Sequence, residues 1–73
     1  MSYTPEDLKR YLNWLARAIE SLESDAERSA ELARRVGEAV GVEVRGKSAR
    51  EAIAAVLRKL GEVLEEELRK LRK

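Results

Sequence analysis

Between Ile53 and Leu71 the apolar residues Ile53, Val56, Leu57, Leu60, Leu64, Leu68 and Leu71 return largely at steps of three and four, which at about 100° per residue holds them on one side of an α-helix. Charged residues occupy the opposite face. Ser48, with Glu51 three residues later, predicts a capping box in which a hydroxyl and a carboxylate satisfy backbone N–H groups left free at the helix start. Glu65 stands four residues before Arg69 and Glu66 four before Lys70, the favourable order for ion pairs along a helix. Arg69, Lys70, Arg72 and Lys73 lie where the negative end of the helix dipole favours cations. The pattern predicts a helix over Ala49 to Arg72.

Two more helices precede it. Thr4, Pro5, Glu6 and Asp7 suit a helix start, with Thr4 as N-cap, Pro5 at the first turn, where its missing N–H is no loss, and acids at the positive dipole end. Leu8, Leu12, Leu15, Ile19 and Leu22 form the stripe of a helix from Pro5 to Leu22. Tyr11, Trp14 and Ala18 widen it enough to touch two neighbours, and Trp14 near its edge can shield a core while its N–H reaches water. A second helix, Asp25 to Val40, is rich in small residues: Ala26, Ala30, Ala33, Gly37 and Ala39 beside Leu32, Val36 and Val40. Glycine inside a helix costs about 1 kcal/mol relative to alanine, so Gly37 implies a packing reason, and Gly61 carries the same implication. Gly41 fits a left-handed C-cap with Val42 placed for the hydrophobic contact that follows one. Val42-Glu43-Val44 is then a short extended piece whose valines cover the end of the bundle, and Arg45-Gly46 turns the chain toward Ser48.

The stretch Glu20 to Glu27 decides the topology. Ser24, Asp25 and Glu27 predict a capping box and hence a break, because Ser and Asp compete for backbone hydrogen bonds inside helices. Yet no Gly or Pro lies here, and helical phase runs on from Ile19 to Val40. With the break, residues 1–73 form a single all-α domain, an up-down-up three-helix bundle. Helix three is then longer than its partners by about two turns, so Leu68 and Leu71 overhang the bundle or pack against Leu22 and the first loop. Without it, residues 5–40 form one helix of roughly 50 Å. Helix three then folds back on its second half, and the bare Leu8, Leu12 and Leu15 require a dimeric four-helix bundle.

Composition narrows the chemistry. The 73 residues include no cysteine and no histidine. That excludes disulfides, thiolate or imidazole metal sites, thiol nucleophiles and the usual general base near neutral pH. Fifteen Lys and Arg stand against 14 Asp and Glu, a net charge of +1, so no nucleic-acid surface is signalled globally. Charged residues make up 40% of the chain but alternate in sign among apolar stripes, which marks helix surface and not disorder. No stretch is long and apolar enough to span a bilayer, and the first ten residues lack a signal-peptide hydrophobic region. The expectation is a soluble cytoplasmic protein without membrane partners.

One motif matches formally. Gly41 to Ser48 fits GxxxxGK[ST], the phosphate-loop pattern, and a helix follows it. No buried strand precedes it, Val42 and Val44 suit a phosphate cradle poorly, Glu43 repels an anion, and no later strand supplies an Asp for magnesium. A C-cap glycine, a turn glycine and an N-cap serine account for the same letters. Arg45, Lys47 and Arg50 around a helix N-terminus make a candidate anion contact, although no aromatic is interleaved and the connection is too long for a helix-turn-helix. Glu65, Glu66 and Glu67 point different ways from a helix and do not converge on a metal. No catalytic, cofactor-binding or metal-ligating residue is expected, and no enzyme. Ile53, Leu57, Leu60, Gly61, Glu62 and Leu64 resemble the groove-binding helix of cell-death regulators, whose four apolar anchors enter a hydrophobic cleft on a partner; Glu62 stands where that family has Asp.

Taken whole, the cap signals, the Glu/Lys/Arg surfaces, the absence of Cys and His, and the ending EEELRKLRK resemble computationally designed helical bundles. Gly37, Gly61, the Val-Glu-Val connection and Asn13 depart from that style. The resemblance implies a protein whose purpose is its fold: a structural scaffold with no required partner. The alternatives are a protein-binding module presenting the Tyr11 and Trp14 side of helix one, a self-associating helical hairpin, or a phosphate or nucleic-acid contact in the 41–50 loop.

Overall fold

The computed structural model describes residues 3–72, which form three helices: α1 (Pro5–Glu20), α2 (Ala26–Val40) and α3 (Ala49–Leu71). Lys73, expected among the cations at the end of α3, lies outside the described residues. All three helices pack together as an all-α bundle. The alternative of one helix over residues 5–40 is excluded by the turn at Ser21–Ser24 and by the non-helical backbone of Asp25, φ −154° and ψ 83°.

Each helix start is built from its own sequence. Thr4 Oγ1 accepts from the Asp7 N–H at 3.0 Å and the Asp7 carboxylate accepts from the Thr4 N–H at 3.2 Å, a full capping box. Ser48 and Glu51 form the same reciprocal pair at 3.3 and 3.0 Å, as the spacing predicts. The α2 start differs from the expected box: Asp25, not Ser24, is the cap, and it accepts from the Arg28 N–H at 3.1 Å. α2 ends as expected, with Gly41 at φ 79°. The Val42 N–H bonds the Gly37 carbonyl at 2.8 Å, which folds the chain sharply back over the last turn. This gives Gly37 its reason, since a Cβ there would stand 2.9 Å from the Val42 carbonyl oxygen and 3.4 Å from Val56 Cγ2.

α2 is the central element. It packs against both neighbours, while α1 and α3 meet each other much less. The core consists of Leu15 and Ala18 from α1, Leu32, Ala33, Val36 and Val40 from α2, Val44 from the connection, and Ala52, Ile53, Val56 and Leu60 from α3. Val42 and Leu22 pack against its two ends.

The buried faces are rotated from the stripes that step counting picks out. On α1, Leu15 and Ala18 are buried with Tyr11 and Trp14 beside them, whereas Leu12 and Ile19 are half exposed. On α3, Ala52, Val56, Leu60 and Val63 turn inward, and Leu57, Leu64, Leu68 and Leu71 stay outside. α3 is apolar over a wide arc, and the part of it turned toward the alanine- and glycine-rich flank of α2 carries Leu60 among small and β-branched residues, Ala52, Ile53, Val56 and Val63. Of the two expected places for Leu68 and Leu71, the structure takes the overhang, with Leu71 79% exposed.

One buried polar group joins the helices. Near its end α1 tightens: the Leu22 N–H bonds the Ile19 carbonyl, and the Ala18 carbonyl is left without the backbone partner that a continuing helix would supply. The fully buried Ser29 hydroxyl of α2 donates to that carbonyl. The break at residues 21–24 and the packing of α1 on α2 are thereby coupled.

Candidate functional sites

Three surfaces carry residues that the sequence singles out. The first is the aromatic corner between α1 and α2. Tyr11 and Trp14 are half-buried and rest on the core, so the phase of α1 places them together as expected. Tyr3 meets Tyr11 edge to face, with centroids 6.2 Å apart. Arg10 lies 5.6 Å from the Tyr11 ring centre and Arg35 5.6 Å from that of Trp14, distances at which a guanidinium is drawn to the ring face. Arg10 also pairs with Asp7 at 2.9 Å and Arg35 with Glu31 at 3.2 Å. Between them runs an open groove of about 270 Å³ lined by Arg10, Tyr11, Trp14, Arg35, Val36 and Ala39. An aromatic floor with a basic rim suits an apolar group that carries a carboxylate.

The second is the 41–50 connection. Gly46, at φ 80°, occupies the turn closed by the Lys47 N–H to the Val44 carbonyl at 3.1 Å, a position few other residues adopt without strain. Five of the eight backbone N–H groups that a phosphate loop would draw on are engaged within the protein. Gly41 and Val42 bond the Gly37 carbonyl, Arg45 bonds the Glu43 carboxylate at 3.0 Å, Lys47 bonds Val44, and Ser48 bonds the Glu51 carboxylate at 3.0 Å. Arg45, Lys47 and Arg50 are all exposed around this corner. Their charge is available to solvent, while most of the donors a cradle needs already serve the protein's own acceptors.

The third is the outer face of α3. Of the anchors that resemble a groove-binding helix, Ile53 and Leu60 are buried in the core, whereas Leu57 and Leu64 face out. The folded bundle does not offer the four together. The acids of this helix act as surface pairs: Glu65 with Arg69 at 3.6 Å, and Glu67, in place of the expected Glu66, with Lys70 at 3.1 Å. Among the described residues no group of three His, Cys, Asp or Glu side chains gathers to hold a metal ion, and no helix is long and apolar enough to cross a membrane.

Two carboxyl groups have displaced acidities, and both are caps. Hydrogen bonds from the Thr4 backbone and hydroxyl, helped by Arg10, hold Asp7 below its ordinary value. The Ser48 backbone and hydroxyl, with Lys47 nearby, do the same for Glu51. The direction follows from donors that stabilise the ionised form. Sequence reasoning does not find Ser29, whose partner lies eleven residues away; its only signal is a serine in phase with Ala26, Ala30 and Ala33 on a helix otherwise lined by small apolar residues.

The described residues define a small three-helix bundle joined by an apolar core, closed by local caps and tied, among those residues, by one buried inter-helix hydrogen bond. Compared with protein-family models, with curated proteins and with solved structures, the chain has no match.

Proposed function

We propose that the chain is a structural scaffold, a self-supporting helical bundle of designed style that carries no chemistry of its own. The observation that supports this reading most strongly is where its polar groups are used. Thr4, Asp7, Asp25, Ser48 and Glu51 terminate helices, Ser29 ties α1 to α2, and the displaced carboxyls are caps in the open and not acids in a pocket. Functional sites commonly keep strained or displaced groups free for a ligand. Thermal unfolding in the presence of magnesium ATP, inorganic phosphate or a short DNA duplex tests the reading. A ligand at about a hundred times its Kd stabilises a fold by about 2.7 kcal/mol, several degrees for a domain of this size. The expected midpoint is unchanged, and an upward shift with any of the three would overturn the scaffold reading in favour of the Arg45, Lys47 and Arg50 corner.

A second reading, favoured by the groove beside Trp14, is a protein-binding module. It takes an acidic, apolar peptide segment across Tyr11 and Trp14, with Arg10 and Arg35 on its carboxylates. Trp14 is the single tryptophan, so its emission reports occupancy. A saturable change that Arg35→Glu abolishes would favour this reading over the scaffold.

A further inference from the structure

The outer face of α3 repeats with a different period from its buried one. Ala54, Leu57, Gly61, Leu64, Leu68 and Leu71 follow one another at steps of three, four, three, four and three, the spacing of a coiled-coil seam. Among the described residues this seam is left half open: Leu57, Leu64 and Leu68 are 39%, 46% and 48% exposed. At its middle stands Gly61, in the interior of a helix that glycine weakens, where a Cβ would meet nothing within 4 Å beyond its adjacent residues and the backbone of its own helix. Unlike Gly37, it has no reason inside its own chain. Gly61, Leu64, Glu65, Leu68 and Arg69 of α3, with Arg72 at its C-cap, line a recess to which no other helix contributes.

We propose that the seam is an interface for a second copy of this chain, with the two α3 helices antiparallel. Laying one seam on the other so that Leu57 of each copy opposes Leu68 of the other brings Leu64 of each onto Gly61 of the other. Leu71 then falls on Ala54. Every large side chain meets a small one or a leucine of the opposite layer, over about 26 Å of helix. The same register matches charge. Glu51, Arg58, Glu65 and Arg72, spaced seven apart along one flank of the seam, alternate in sign and are all exposed. Flanks of this kind face each other in an antiparallel pair, where Arg58 meets Glu65 of the other copy and Glu51 meets Arg72. A parallel pair instead sets Gly61 against Gly61, with a gap at the centre, and turns this flank away from its own copy. The intrahelical contact of Glu65 with Arg69 is long and open to solvent on both sides, so it does not compete strongly for Glu65.

Sedimentation equilibrium of the full chain from low to several hundred micromolar tests the pairing. The wild type is expected to approach the mass of two chains as concentration rises. Gly61→Gln fills the recess without touching the monomer core, so it is expected to keep or raise the melting midpoint of dilute protein while holding the mass at one chain. Glu65→Arg is expected to weaken association about tenfold, as like charges then meet at two symmetric places, and Arg58→Glu added to it is expected to restore most of that loss. A single-chain mass for wild type throughout, or a two-chain mass unmoved by Gly61→Gln, overturns the proposal; the latter points instead to the Leu12 and Ile19 side of α1. Orientation has its own test, because the chain has no cysteine. When Leu57→Cys and Leu68→Cys proteins are mixed and oxidised, the mixed disulfide is expected to dominate, and dominance of the two homodisulfides would refute the antiparallel arrangement.

Discussion

Replacing each helical glycine by alanine separates what the helix wants from what the fold wants. Intrinsic propensity favours alanine by about 0.8–1 kcal/mol at either site. At Gly61 the new methyl meets open space, so the whole gain is expected, and the melting midpoint of dilute protein should rise by about 4–8 °C for each kcal/mol. At Gly37 the methyl would lie 2.9 Å from the Val42 carbonyl oxygen, a backbone atom that cannot swing away, and near Val56 Cγ2 on the other side. The Val42 backbone is itself held by its N–H to the Gly37 carbonyl at 2.8 Å, so relief requires the end of α2 to shift. Overpacking of this kind costs about 1–3 kcal/mol. After the propensity gain, Gly37→Ala should lower stability by roughly 0–2 kcal/mol. The contrast between the two variants is the sharper quantity, because propensity cancels from it: about 1–3 kcal/mol, read by urea and thermal unfolding followed at 222 nm. If Gly37→Ala stabilises the protein as much as Gly61→Ala does, the tight passage of the chain over the end of α2 is wrong.

Three further outcomes follow from the fold. Ser29→Ala leaves the Ala18 carbonyl buried without its donor and should cost about 1–3 kcal/mol, measured by urea unfolding; a cost below half a kcal/mol would show that the Ala18 carbonyl finds another donor. Leu15→Ala should cost about 2–5 kcal/mol, while Leu12→Ala, one turn away on the same expected stripe but half exposed, should cost under about 1 kcal/mol; comparable losses would contradict the rotated face of α1. The caps set an acid dependence. Asp7 and Glu51 ionise more readily folded than unfolded, so their contribution is fully present above the ordinary carboxylate range and is lost as pH falls below about 4 through their folded values. A pH titration of the melting midpoint should decline in that window, and Ser48→Ala, which removes one box at a cost of about 1 kcal/mol, should flatten the decline.

The parts legible in the sequence are those whose causes are local. Thr4, Pro5, Ser48, Glu51 and Gly41 each act within a few residues of themselves, and the structure places them as their types predict. The second capping box failed by one residue because Ser24 and Asp25 are both competent caps, and the choice depends on how the turn leaves α1. Which face a helix buries is not a local matter. Counting steps runs Ile53, Val56 and Leu60 together with Leu57, Leu64, Leu68 and Leu71 as one stripe of α3, and leaves out Ala52 and Val63; the structure buries the first three with Ala52 and Val63 and leaves the other four leucines outside. The smooth flank of α2, with Ala33 and Gly37, packs against the part of the arc that carries Ala52, Val56, Leu60 and Val63, and Val56 Cγ2 stands 3.4 Å from where a Cβ on Gly37 would be. The phosphate-loop letters differ from a phosphate loop for a related reason: the pattern specifies residue types, whereas binding needs free N–H groups, and here Glu43, Glu51 and the carbonyls of Gly37 and Val44 already hold those of Gly41, Val42, Arg45, Lys47 and Ser48.

The two helical glycines carry the argument furthest. In the sequence they look alike, each an interruption in a helix of otherwise strong formers, and each implies a close neighbour. For Gly37 the neighbour is the chain itself, returning over the end of α2. For Gly61 no such neighbour exists among the described residues, and leucines at steps of three and four continue past it on either side. A surface glycine that weakens its helix while separating exposed leucines is consistent with packing only if something outside the chain fills the recess. A second α3, run antiparallel, supplies a leucine at that point and receives one in return. Gly61→Gln therefore tests more than one contact: it asks whether the leucines that α3 leaves outside the core belong to the fold of one chain or to the meeting of two.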